Sequence, residues 1–285
     1  MHRRRMLKVA LVSSFAGAAI VNTKPARAES RPVASDDPRE LADAVSAGVG
    51  YFITRCKEQL PLVKKLQAAI ESGDVARAQQ AYIDSRPPYE EIETISPDFA
   101  SSDRDIDARP YAFEGGELDE NFRGFHKVEA LLFAYKDLEA AKPFAKRLVS
   151  SIERLGTELR ERRRFTAKGQ FDGMVALATE VAAKKVSSEE ETWSDQSLLI
   201  FRHNWIGIHS QYAPFASILG ETDRTVRAYT EAHNHAMGLV SPHFREGEAG
   251  GTPYSKIGIV ERRSMADASN RLRDALIQTR ELIGV

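Results

Sequence analysis

Residues 42–74, ADAVSAGVGYFITRCKEQLPLVKKLQAAIESGD, decide the fold class of this chain. Apolar side chains recur in this stretch at intervals of three and four residues, which is the period of an amphipathic α-helix. The pattern stops at Gly73, and Asp74 is a residue type that caps the start of the next helix. Pro61 lies inside the pattern, and we expect it to kink the helix. The stretch predicts one long helix followed by a second.

The same period continues through most of the chain. Further helices are predicted at about 119–137, 140–163, 168–186, 192–219, 221–238 and 255–282. Runs of alternating β-branched residues, which are typical of strands, are missing from the sequence. We therefore predict an all-α fold, with the helices packed as two bundles in one folded unit.

One long connection interrupts the helical pattern. Residues 96–121, SPDFASSDRDIDARPYAFEGGELDEN, are dense in Asp, Glu, Gly, Ser and Pro and read as an irregular loop. A loop of that length in a helical protein usually has a function of its own. We expect it to contribute to a binding site.

The N-terminus has the three parts of a cleavable signal peptide. A basic start, MHRRRMLK, precedes the apolar run Val9–Val21, and Ala26-Arg27-Ala28 is a small-x-small cleavage pattern. The apolar run is shorter than the roughly 20 residues of a membrane-spanning helix. We expect residues 1–28 to be a signal peptide, with paired arginines similar to the twin-arginine type. Residues 29–37 would then be a flexible leader, and residues 38–285 the folded domain of a periplasmic or cell-surface protein.

Charge and cysteine content narrow the function. Removing the six basic residues of the signal peptide from the 40 in the chain leaves 34 against 41 acidic residues. Nucleic-acid binding is not expected of such an acidic protein, because it needs a basic surface. Cys56 is the only cysteine, so no intrachain disulfide can form.

A possible metal site lies in the segment Gly124-Phe125-His126-Lys127-Val128-Glu129. On a helix that begins at Asp119, His126 and Glu129 would project from an apolar stripe into the interior. The i, i+3 spacing puts an imidazole nitrogen and a carboxylate oxygen within reach of one ion. A buried salt-bridged pair is the alternative interpretation of the same spacing. Gly124 would allow another backbone segment to approach.

Three further acidic groups could complete such a site. Glu90 and Glu93 share the i, i+3 spacing just after Pro87-Pro88, where a proline kink would bend the helix around the site. Asp107 lies in the long loop, and Glu189 lies in the run Ser187-Ser188-Glu189-Glu190-Glu191. Each of these groups also has an ordinary structural interpretation, as an exposed acidic helix face, as acidic residues of a loop or as a helix cap.

The segment Gly124–Glu129 matches the G-x-H-x-x-E motif of the imelysin-like (EfeO/EfeM) family, and the agreement extends beyond it. GDVARAQQAY (73–82), YEEIE (89–93), IDAR (106–109) and SSEEETWS (187–194) also resemble the imelysin-like domain of that family. The resemblance implies two antiparallel helix bundles and a role in bacterial iron uptake with a membrane transport system as partner. By that resemblance the metal ligands are His126 and Glu129, with Glu90, Glu93, Asp107 and Glu189 as acidic neighbours.

The donor set does not choose the metal. Mixed imidazole and carboxylate ligands suit iron, zinc or manganese, and also copper(II). The chain has no room for the cupredoxin domain of the longer family members. The resemblance therefore favours the short EfeM type and leaves a copper-dependent step in doubt.

Two other functions stay open at this point. Some short members of the family bind alginate, an acidic polysaccharide, which would need a basic patch. The candidate residues for such a patch are Arg160, Arg162, Arg163, Arg164, Lys184 and Lys185. The family has also been classed with metallopeptidases, but the H-E-x-x-H pattern of zinc peptidases is not in the sequence. We expect a binding protein and not an enzyme.

Overall fold

The structure is a computed structural model that describes residues 38–161, 165–188 and 190–285. Its α-helices are α1 (Arg39–Glu71), α2 (Val75–Ser85), α3 (Pro87–Ile92), α4 (Ala100–Asp107), α5 (Phe125–Glu129), α6 (Leu138–Glu161), α7 (Ala167–Glu180), α8 (Val186–Ser188), α9 (Ser197–Leu219), α10 (Arg224–Val240) and α11 (Ile259–Ile283). Within the described ranges the only β-type pairing is one isolated bridge between Phe244 and Gly251. The all-α prediction is confirmed.

Two segments wind more loosely than an α-helix. Ala130–Tyr135 continues α5 as a π-helix, and Val181–Lys185 continues α7 in the same way. Short π-helical segments occur frequently at functional sites, because the extra residue per turn re-aims the neighbouring side chains. Both segments adjoin residues of the buried polar cluster described below.

The helices form two packed groups. Helices α2 and α6 pack on α1 in the first group, while α7, α9, α10 and α11 form the second. The short helix α3 packs against both α1 and α9, so it joins the two groups. The predicted pair of bundles is confirmed, and the segment between Pro87 and Asp107 lies where they meet.

The first helix follows its sequence pattern closely. Helix α1 runs through Pro61 without a break and buries one apolar stripe that includes Val45, Phe52 and Leu66. Asp74 caps α2 as predicted, since its carboxylate accepts a hydrogen bond from the backbone N–H of Arg77 at 3.0 Å. Apolar period and capping chemistry therefore account for this part of the fold.

Two predicted boundaries are wrong. The predicted loop at 96–121 contains the helix α4 and three 3₁₀ turns, at Glu93–Phe99, Pro110–Ala112 and Gly116–Leu118. The predicted start of a helix at Asp119 is displaced to Phe125, because Gly124 adopts a φ of 85° that a continuing helix cannot use. The tertiary packing of α4 has overridden its polar composition.

The predicted signal peptide (1–28) and leader (29–37) lie outside the described residues. In the part of the chain that the structure describes, no helix has both the length and the apolar character needed to cross a membrane.

Glycines bring backbone segments into direct contact around α3 and α4. A side chain on Gly207 of α9 would collide with the carbonyl of Glu91, and one on Gly173 of α7 would collide with the carbonyl of Thr94. A Cβ at Gly124 would collide with the carbonyl of Ile106 in α4. The predicted close approach at Gly124 is confirmed, and it places α5 directly on α4.

We expect Gly124→Ala to destabilise the protein. The substitution adds backbone strain at a positive φ and a clash with Ile106, which together should lower the free energy of unfolding by about 2–4 kcal/mol. Chemical denaturation measures the change. Gly238→Ala is the control, since that helical glycine has open space around it and should be neutral or slightly stabilising. Equal effects of the two substitutions would contradict the packing described here.

Candidate metal centre

His126 and Glu129 lie in the interior, on the first turn of α5. Their exposed fractions are 1% and 0%, and Nδ1 of His126 lies 3.0 Å from Oε2 of Glu129. The other carboxylate oxygen of Glu129 accepts hydrogen bonds from the backbone N–H groups of Trp193 and Ser194, both at 2.8 Å. The motif pair is therefore held rigidly from one side.

The second ring nitrogen of His126, Nε2, lacks the hydrogen-bond partner that Nδ1 has. Nε2 is buried, has no hydrogen-bond partner and lies 3.6 Å from Oδ1 of Asp107. A buried polar atom without a partner costs free energy, and such a nitrogen is suited to receive an ion. This orphaned atom fits a metal-binding role.

Two groups of side chains could hold an ion, and they share His126. One consists of Asp107, His126 and Glu190, and the other of His126, Glu129 and Glu191. All of these residues are buried, and within each group the candidate ligand atoms lie within 4.8 Å of one another. The structure thus brings carboxylates from α4, α5 and the segment after α8 to one imidazole.

Arg86 occupies the centre of this arrangement. Its guanidinium is fully buried and lies 2.6 Å from Glu90, 2.7 Å from Asp107 and 2.9 Å from Glu191. It also lies over the ring of Phe125, with its central carbon 4.5 Å from the ring centroid. Arginine presents a planar fork of donors, which lets one cation contact several carboxylates.

Lys185 is the second buried cation. Its ammonium donates to both carboxylate oxygens of Glu93 at 2.7 Å and lies 3.1 Å from Oε1 of Glu190. The amide of Asn204 also donates to carboxylates in this region, to Glu90 at 3.1 Å and to Glu93 at 2.7 Å. Glu90 and Glu93 therefore act as the carboxylate partners of Lys185 and Asn204 at the edge of the cluster.

Arg109 is the third cation. Its guanidinium pairs with Glu190 and lies 3.9 Å from Oδ2 of Asp107. Among the residues that the structure describes, the cluster contains three basic residues and the following six buried carboxylates: Glu90, Glu93, Asp107, Glu129, Glu190 and Glu191. The surplus of negative charge favours the binding of a multivalent cation.

The pKa values follow this charge imbalance. Burial, with the nearby carboxylate of Glu191, raises the pKa of Glu129 well above its ordinary value. Burial raises the pKa of Glu90 in the same way, with Glu93 and Asp107 adding to the effect. The cluster holds more carboxylates than its own cations can keep ionised.

The pKa values of His126 and Asp107 shift downward instead. Burial lowers the pKa of His126 well below its ordinary value, and Arg109 and Arg86 add to this, so the imidazole is neutral near pH 7. Burial alone would raise the pKa of Asp107, but the guanidinium groups of Arg86 and Arg109 outweigh it and hold the pKa well below its usual range. A neutral imidazole beside an ionised carboxylate is the protonation state that a metal ion requires.

Only some of the predicted ligands lie at the possible ion positions. His126, Glu129 and Asp107 meet at the possible ion positions, whereas Glu90 and Glu93 lie beside them with basic partners. Glu189 lies outside the described residues, and its neighbours Glu190 and Glu191 are the carboxylates that enter the cluster. The acidic run 187–191 therefore indicated this part of the site, and Glu190 and Glu191 are its two described glutamates.

The predicted polysaccharide residues do not form one patch in the described chain. Lys185 is completely buried in the ion-pair cluster, so a polymer at the surface cannot reach it. Arg160 and Lys184 are exposed. The remaining candidates, Arg162, Arg163 and Arg164, lie outside the described residues.

The residues that sequence reasoning missed are the buried cations. Arg86 precedes the two prolines and Arg109 follows Asp107, and no local pattern separates these two arginines from exposed ones. The sequence places Lys185 with Lys184 in a candidate basic surface patch, whereas the structure buries Lys185. The only sequence signal for buried cations was the excess of acidic over basic residues in the motif segments, because buried carboxylates need positively charged partners.

Comparison with known proteins assigns the chain to a family. A family model described as Imelysin matches residues 56–253, a range that contains His126 and every described carboxylate of the cluster. The chain belongs to the imelysin family. The predicted family resemblance is confirmed, and α3, α4, α5 and the segment after α8, which together form the site, lie within the matched part.

Relatives of imelysin type are similar over most of their length. The iron uptake system component EfeM of Pseudomonas syringae pv. syringae is 27% identical over 252 residues, covering 88% of each chain. The iron uptake system component EfeO of Yersinia pseudotuberculosis is 28% identical over 91% of this chain and 69% of its own. An Efem/EfeO family lipoprotein of Staphylococcus aureus is 28% identical over 83% of this chain and 84% of its own.

A solved structure shares the fold. It is a crystal structure from Parabacteroides distasonis, described as an iron-regulated protein A precursor, with a TM-score of 0.62 and 16% sequence identity. The match covers 86% of this chain and 96% of that one. The likeness supports the imelysin-like architecture of two helix groups.

We expect Asp103→Asn to change how stability depends on pH. Burial, with repulsion from Asp107 and Glu93, raises the pKa of Asp103 to about 7. The folded wild type therefore binds a proton that the unfolded chain releases above about pH 4, so its free energy of unfolding falls as the pH rises from about 4 to 7. Asparagine removes this loss and can still accept the hydrogen bond from Tyr89.

Denaturation of both proteins at several pH values measures the effect. The variant should gain up to about 3 kcal/mol over wild type at pH 8 and nothing near pH 4. Asp267→Asn, at an exposed position on α11, is the control and should show no such trend. A constant difference across this pH range would rule out the raised pKa.

Proposed function

We propose that this chain is the extracytoplasmic metal-binding component of an iron uptake system. Its similarity to the EfeM and EfeO components supports this role, because both are named for iron uptake and match most of this chain. The observation that carries the proposal is the unpartnered Nε2 of His126 among buried carboxylates. On this proposal iron is the cargo of the protein and is passed to a membrane transport partner.

Hard oxygen donors and one imidazole would hold the ion. Carboxylates suit iron, and a single neutral imidazole adds a ligand that iron, zinc and copper all accept. His126 would supply Nε2, and its Nδ1 would stay with Glu129 in the carboxylate–histidine arrangement that orients metal-binding rings. The remaining ligands on the Nε2 side would be Asp107 and Glu190.

The motif glutamate could also act as a ligand. Glu129 and Glu191 form the second possible ion position with His126. In that arrangement the N–H groups of Trp193 and Ser194 would orient the ligating carboxylate of Glu129. Either arrangement makes His126 and Glu129 necessary for tight binding.

The role we propose is binding without catalysis. The relatives described above are named as components of iron uptake, and the H-E-x-x-H pattern of zinc peptidases is not in the sequence. Alginate binding stays an alternative prediction from the sequence. In the described chain it rests on the exposed side chains of Arg160 and Lys184.

We expect the double variant His126→Ala, Glu129→Ala to lose metal affinity. Calorimetric titration with iron(II) under anaerobic conditions, and separately with zinc, manganese and copper(II), measures the dissociation constants. The loss should be at least about 100-fold, because even residues that only orient ligands contribute 10–100-fold to affinity.

A second histidine–glutamate pair supplies the matched control. Nε2 of His243 lies 2.8 Å from Oε1 of Glu261, outside the cluster. The variant His243→Ala, Glu261→Ala should bind iron(II) as tightly as wild type. Equal affinity of wild type and the His126, Glu129 variant would refute the proposed site.

A further inference from the structure

Arg109 differs from the other two cations of the cluster in how it is held. Arg86 and Lys185 are fully buried, whereas the side chain of Arg109 is 12% exposed. Arg86 contacts three carboxylates closely, while Arg109 has one close partner, Glu190, and lies 3.9 Å from Asp107. Its Nε is buried without a hydrogen-bond partner. Arg109 is therefore the least firmly bound of the three.

The backbone around Arg109 lies outside the α-helices. We call residues 108–112 the Arg109 segment; it leaves α4 in extended conformation at Ala108 and Arg109 and then forms the 3₁₀ turn Pro110–Ala112. Tyr111 at its tip is 72% exposed. No helix holds this segment, whereas Arg86, Glu90, Glu129 and Lys185 lie in or next to helices that pack in the interior.

Two clefts lie on either side of the Arg109 segment. One has a volume of about 250 Å³ and reaches Asp107, and the other has about 210 Å³ and reaches Glu190. Arg109 and Tyr111 line both of them. The side chain of Arg109 therefore lies at both clefts, next to two of the three residues of the Nε2 position, and has space on both sides.

We propose that Arg109 is a tethered counter-ion that the incoming metal ion displaces. This inference rests on the proposed function and adds a mechanism of loading and release to it. Without metal, the guanidinium neutralises Glu190 and Asp107. A metal ion bound by Asp107, His126 and Glu190 needs the same carboxylates, so the two cations compete. The returning guanidinium would then assist release of the cargo.

Competition makes a definite prediction about affinity. Arg109→Gln removes the competing charge, so iron(II) should bind about 10-fold more tightly than to wild type, as expected for the loss of one charge-assisted contact. Anaerobic calorimetric titration gives the dissociation constant, and transfer to a chelator in stopped flow gives the release rate. The release rate should fall in the variant.

Two further variants sharpen the comparison. Arg109→Lys keeps a positive charge on the same segment and should bind iron(II) more like wild type than Arg109→Gln does. Arg104→Gln is the matched control, because Arg104 lines the cleft next to Asp107 but contacts Phe113 and the carbonyl of Ala112 instead of a carboxylate. It should leave the affinity unchanged.

Weaker or unchanged binding by Arg109→Gln would overturn the proposal and make Arg109 a residue that positions the ligands. If the variants fail to fold, hydrogen–deuterium exchange on wild type gives the test. Amides of the Arg109 segment should exchange faster after iron(II) is added, and slower or equal exchange would also overturn it. Failure of wild type to bind any metal would instead refute the proposed function.

Discussion

The buried guanidinium of Arg86 is the interaction on which the rest of this structure depends. It connects the break between α2 and α3 to the end of α4 and to the segment after α8, through Glu90, Asp107 and Glu191. An unpaired charge in the interior would be prohibitively costly, so these segments can pack only in the arrangement that surrounds the guanidinium with carboxylates. Pro87 starts α3 directly after Arg86 and thereby fixes where the side chain enters the core.

The same arrangement creates the excess of acidity that a metal ion would relieve. The carboxylates come from α3 and the turn after it, from α4, from α5 and from the segment after α8, and Arg86, Lys185 and Arg109 together cannot neutralise all six. A core that served stability alone would match its buried charges or replace them by apolar groups, which is often the more stable solution. The surplus of carboxylates around Nε2 of His126 is the feature on which the proposed metal binding rests.

The sequence predicted the helices that follow simple patterns and missed those that depend on packing. The apolar period and the Asp74 cap were enough for α1 and α2, and the motif was enough to place His126 and Glu129 in the core. Helix α4 was missed because its residues are mostly polar and its stability comes from contacts with α6 and α5.

Side-chain direction in the site was harder to predict than position in the chain. Lys185 lies four residues after the buried Val181 and seven after the buried Ala178, so helical spacing places it inside, although its charge suggests a surface position. The adjacent residues Glu90 and Glu91 also show that the sequence does not reveal which way a side chain points. Glu91 points away from the cluster and accepts hydrogen bonds from Tyr51 and Arg55, with His203 at 2.7 Å, and despite burial these partners lower its pKa. Glu90, one residue earlier, has a pKa raised well above its ordinary value. Since the two glutamates share one helix and one local sequence, only the tertiary environment separates a saturated structural carboxylate from one in a cluster short of positive charge.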